Sequence, residues 1–98
     1  VNAGHTMIIP KQHIDYVFDL EEPLYSELFR VTKELSTPIK KAMQASKVGV
    51  VIEGFGVSHL HVHLVPINGI NELNPTRARR ASAEELAAVA SSIRNELA

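Results

Sequence analysis

Residues 59 to 65, His-Leu-His-Val-His-Leu-Val, alternate polar and apolar side chains without a break. Only an extended backbone turns a period of two into two faces, because successive side chains of a strand point to opposite sides of its sheet. The segment predicts a strand with Leu60, Val62 and Leu64 on a core and His59, His61 and His63 in a row on the other face. With five histidines in 98 residues, an alternating triplet arises by chance with a probability on the order of one per cent, so the row calls for an explanation. Pro66 and the pair Asn68-Gly69 are expected to close the strand.

Two further strands are predicted. Residues 5–11, HTMIIPK, are rich in β-branched side chains and end at Pro10, which lacks a ladder donor. Residues 48–52, VGVVI, hardly alternate, the pattern of a strand covered on both faces. Between them Leu24, Leu28, Val31, Leu35 and Ile39 recur at helical spacing, with Asp19 as the expected N-terminal cap. Pro38 predicts a kink in this helix or a split into two. A last helix opens at Ser82-x-x-Glu85, a capping box, with Leu86, Val89, Ala90, Ile93 and Leu97 on one stripe. Residues 68–80 read as a loop, and no internal repeat is present.

The size, 98 residues, suits one small domain spanning residues 1–98. Ten basic against eleven acidic residues give a net charge of −1, which offers no basic surface to nucleic acid. No apolar run reaches membrane-spanning length. The chain has no cysteine, so disulfides, thiol nucleophiles and cysteine-ligated zinc within it are excluded, and a reducing cytoplasm is the expected compartment.

The chemistry concentrates on the histidine row. Neighbouring imidazoles at i and i+2 start from Cα atoms about 6.8 Å apart, close enough to converge on one substrate group. Three ligands along one straight strand would strain to share a tetrahedral zinc, although two could do so with outside help. A phosphorus centre uses the spacing better. A neutral imidazole is nucleophilic at neutral pH, and flanking rings can hold phosphate oxygens and protonate a leaving group. The central His61 is best placed to attack, with its tautomer set by a bond from the far nitrogen to a carbonyl or another histidine. The glycines of Glu53-Gly54-Phe55-Gly56 can bring backbone donors close to a ligand, but no P-loop pattern is present. A solvated sheet face would also account for the histidines. His13, after Pro10-Lys11, reads as a surface residue, and Arg77, Arg79 and Arg80 as a solvated loop. Phe55 would either stack on a base or plug the core.

Ser58-His59-Leu60-His61-Val62-His63-Leu64-Val65 resembles the signature of the histidine triad (HIT) family of nucleotide-binding proteins, in which histidines alternate with hydrophobic residues. Gly4-His5-Thr6-Met7-Ile8-Ile9-Pro10-Lys11-Gln12-His13 is similar to a second block of that family. Together the blocks cover about residues 1–67, and residues 67–98 match only loosely. The resemblance implies an α+β fold with an antiparallel sheet, a homodimer, and cleavage of a nucleotide conjugate at its α-phosphate through a nucleotidyl-histidine. His61 would be the nucleophile, His63 would contact phosphate and leaving group, and His59 and His5 would complete the catalytic set. Ser58 and Gly56 are the expected nucleotide-binding residues. The implied partner is a purine nucleotide or its conjugate: a phosphoramidate, an acyl-adenylate or a dinucleoside polyphosphate. No cofactor is expected.

The sequence departs from the family in three places. Phe55-Gly56-Val57-Ser58 stands where many members carry Gly-Gln-Ser/Thr, and Ile52 stands where many have Asn or Gln. The family's N-terminal helix and strand would precede Val1. Some bacterial members hold zinc through two N-terminal cysteines and the histidines matching His13 and His59, of which this chain offers half. Two other classes therefore stay open: a nucleotide-binding module without catalysis, and a metal-binding domain built on His59 with His13 or His61.

Overall fold

The computed structural model describes residues 3–52, 59–70, 72–73 and 82–97. These form β1 (Thr6–Ile8), a 3-10 turn (Val17–Asp19), α1 (Leu24–Met43), β2 (Lys47–Val51), β3 (Val62–Ile67) and α2 (Ala83–Leu97). The strands make one antiparallel sheet in the order β1-β3-β2, so the fold is α+β as expected. Register sets Met7 and Val51 opposite His63, and directly paired residues share a face.

The alternation sorts the side chains as predicted. Leu60, Val62 and Leu64 are buried, whereas the three histidines are half-buried. The regular ladder, however, starts at Val62 and continues through Pro66 to Ile67. Pro66 does not close it, because β1 reaches only Thr6, opposite Leu64. Among the described residues the β1 ladder ends at Leu64, so the missing donor of Pro66 breaks no β1 ladder bond there.

Helix α1 packs on β2 and β3, burying Leu28 and Ile39 and half-burying Val31 and Leu35. Its start corrects the expected cap. Asp19 lies in the 3-10 turn, and no side chain caps the helix at Pro23. Instead the Glu22 carboxylate accepts bonds from the Ser26 amide (2.8 Å) and hydroxyl (2.5 Å). Nor does Pro38 split the helix, which runs for 20 residues around it. Both Pro38 and Ile39 are buried, and burying them offsets an interior proline's cost of about 3 kcal/mol.

Strand β2 is also not the doubly covered strand its composition suggests. It is an edge strand with Val50 46% exposed. The α2 capping box forms as expected: Ser82 Oγ accepts from the Glu85 amide at 3.1 Å, and Glu85 Oε1 accepts from the Ser82 amide at 3.4 Å. The stripe of α2 faces α1 only loosely, with Val89, Ala90 and Ile93 half-buried and Leu86 and Leu97 exposed. Among the described residues no helix is long and apolar enough to cross a membrane.

Candidate active site

All five histidines of the chain form one continuous row of rings. In spatial order they are His13, His59, His61, His63 and His5, with centroids 5.2, 5.9, 6.2 and 5.1 Å apart. The three predicted from the alternation are thus brought together with His5, and with His13, whose reading as a surface residue is only half right. It is exposed, yet its ring stacks on His59 with planes 20° apart. Ser58, Gly56, Phe55, Arg77, Arg79 and Arg80 lie outside the described residues.

The flanking histidines are tethered. Nε2 of His5 lies 2.8 Å from Nδ1 of His63, one nitrogen donating to the other. Burial holds the His5 imidazole below the ordinary histidine value, and neighbouring His63 adds to the effect. At the other end, Nε2 of His59 lies 3.0 Å from the Pro10 carbonyl oxygen. A carbonyl only accepts, so this nitrogen carries the hydrogen. Nδ1 of His59 is buried and has no hydrogen-bond partner among the described residues. An N–H at that position would be left unpaired, so the bond to Pro10 sets the tautomer with the hydrogen on Nε2.

The middle ring differs. His61 touches the rings of His59 and His63, and no hydrogen bond to it is found among the described residues. The tautomer-setting bonds expected for His61 are thus made by its two neighbours. Sequence reasoning missed the Pro10 carbonyl and the stacking of His13, although both lie in the second motif block, at Pro10-Lys11-Gln12-His13.

Ile52 follows Val51 on the opposite face of the sheet from His63, and packs against the core cluster of Val17, Leu20, Leu28, Leu60 and Val62. It brings no polar group to the histidines. A depression of about 700 Å³ lies at the far end of β3, lined by Lys47, Ile67, Ile70 and Leu73 among others and by no histidine. No group of three or more metal-ligating side chains with metal-holding geometry occurs among the described residues.

Alternating histidines leading into one strand, beside a fourth just before the adjacent strand, define the histidine triad class. Residues 1–70 match the model of the HIT domain, and the chain belongs to that family. It is 27% identical to Protein hit of Bacillus subtilis over 107 aligned positions, which cover 100% of this chain and 74% of that protein. An HIT-like protein of Saccharolobus solfataricus is 27% identical over 67% of this chain and 51% of its own length, so the chain spans about half of that relative. Among solved structures, a histidine triad protein of Sinorhizobium meliloti superposes with a TM-score of 0.83 at 25% identity, over 94% of this chain and 73% of the other. A hypothetical histidine triad nucleotide-binding protein of Sulfolobus tokodaii gives 0.81 at 26% identity, over 99% and 71%.

Proposed function

We propose that the chain is a nucleotide hydrolase or transferase that cleaves purine nucleotide conjugates at the α-phosphate, with His61 as nucleophile. The observation that carries this is the row of rings in which His61 stands between two tethered neighbours and, among the described residues, has no hydrogen bond of its own. A neutral His61 attacks the α-phosphorus through a nitrogen lone pair, forming a phosphorus–nitrogen bond as the bond to the leaving group breaks. The leaving group takes a proton from Nε2 of His63, which starts as the imidazolium and donates from Nδ1 to His5. Half-buried His5 suits the role of neutral acceptor, since even partial burial disfavours its charged form. Water then attacks phosphorus, the phosphorus–nitrogen bond breaks, His63 recovers its proton, and the nucleoside monophosphate departs. Ser58 and Gly56 supply phosphate contacts, and the chain works as a cytoplasmic homodimer.

Intact-mass spectrometry after brief incubation with adenosine 5′-phosphoramidate, or with a dinucleoside polyphosphate, tests this. The quench must avoid acid, because the phosphorus–nitrogen bond is acid-labile. The expected result is a transient gain of one nucleotidyl group that His61→Ala abolishes, with the better substrate naming the leaving group. Full turnover by the variant refutes the proposal. A second reading, a binding module without catalysis, draws on the core-facing Ile52, and tight AMP binding with no adduct would establish it.

A further inference from the structure

We propose that the turn from Pro10 to Ile14 is a clamp that positions His61 by locking His59, and that the stacked ring of His13 is part of it. Its place in turnover rests on the proposed role of His61. Two bonds hang the start of the triad from this turn: Nε2 of His59 donates to the Pro10 carbonyl at 3.0 Å, and the Leu60 amide donates to the Ile14 carbonyl at 2.8 Å. They are needed because His59 and Leu60 precede β3, where no ladder holds the backbone. His13, from the middle of the same turn, covers one face of the His59 ring. Nδ1 of His59, which could otherwise draw in water and let the ring flip, is sealed. His61 then meets His59 edge to face at 89°. With no hydrogen bond of its own among the described residues, it takes its orientation from that ring on one side and from the His5-tethered His63 on the other.

The test compares the whole chain with its His13→Ala and His13→Phe variants, using ¹⁵N shifts of the His59 ring and steady-state kinetics on adenosine 5′-phosphoramidate. In the parent, His59 shows the Nε2–H tautomer. In His13→Ala that signature gives way to a tautomer mixture, and kcat falls by about tenfold or more while KM stays within about twofold. His13→Phe keeps a ring on the stack and restores both. An unchanged tautomer and kcat in His13→Ala overturns the clamp, as does a folded His13→Phe that fails to restore them. One tightly held zinc per chain, whose removal alone frees the His59 ring, overturns the part given to stacking. The tautomer readout needs no turnover, so a chain that never forms a nucleotidyl adduct still decides it.

Discussion

Gly4 is the position where one added methyl should do most damage, and it adjoins the site. Its φ is +88°, and a Cβ built there would sit 2.5 Å from Cγ and 2.8 Å from Sδ of Met43, and 3.0 Å from Cγ of Pro66. Two costs follow for Gly4→Ala. The left-handed backbone costs an L-residue about 1–2 kcal/mol. Displacing packed neighbours costs about 1–3 kcal/mol, in the lower half here because the Met43 side chain can bend away while the proline ring cannot. Together these give a loss of about 3 kcal/mol, or a Tm lowered by about 12–24 °C in a domain of this size. Urea unfolding of the parent, Gly4→Ala, Met43→Ala and the double variant forms a cycle that separates the two. In the Met43→Ala background the penalty should shrink, leaving about 1–2 kcal/mol of backbone strain together with the Pro66 contact. A single-variant loss under about 0.5 kcal/mol would refute the reasoning, since neither strain nor contact could then be real. Thr6 Oγ1 donates to the Gly4 carbonyl at 2.9 Å and His5 follows directly, so the variant should also slow turnover by loosening the His5–His63 bond.

Three other outcomes are expected. Gln44 ends α1 at φ 51°, so Gln44→Gly should stabilise the chain by about 0.5–1 kcal/mol in the same urea assay. Ser82→Ala removes the capping box of a helix with no buried residue; it should cost about 1 kcal/mol and speed hydrogen exchange in the first turn of α2. Because His5 is held below its ordinary value of 6.5, the unfolded chain takes up a proton there that the folded chain refuses. The stability from neutral His5 is whole above pH 6.5 and is lost as pH falls through the window below it. Thermal melts from about pH 7 to about pH 5 should therefore decline less steeply in His5→Gln than in the parent.

What was legible in the sequence follows from what is local. The period of two around His61 fixes which side chains face the core, whatever pairs with the strand, and the capping box of α2 needs only residues 82–85. The Asp19 cap fails locally, to a 3-10 turn; the other failures involve partners remote in sequence. Whether VGVVI is covered on both faces depends on its place at the sheet edge. Pro66 reads as a stop because a central strand cannot normally spare a donor, and only the shortness of β1 permits it. Pro38 reads as a break because the cost is local and the compensating burial is not. Within the site, alternation finds His59, His61 and His63, whereas His5 and His13 join them across a sheet pairing and a turn, and only the second motif block signals them.

The same segment that completes the site also controls its precision. β1 has three residues, so the chain departs from the sheet almost as soon as it enters, at Gly4 on one side and Pro10 on the other. Both departures are used: His5, beside the first, holds His63, and the Pro10 carbonyl with His13, beyond the second, holds His59. A longer β1 would extend the ladder but draw these groups into regular pairing, where a backbone carbonyl is spent on a strand partner and successive side chains alternate away from the row. The proposed nucleophile needs this brevity, since among the described residues His61 is oriented by two gripped neighbours and by no hydrogen bond that would occupy its own lone pair. Substitutions that lengthen or stiffen residues 9–13 into strand should accordingly leave the core of Leu60, Val62 and Leu64 intact while releasing His59.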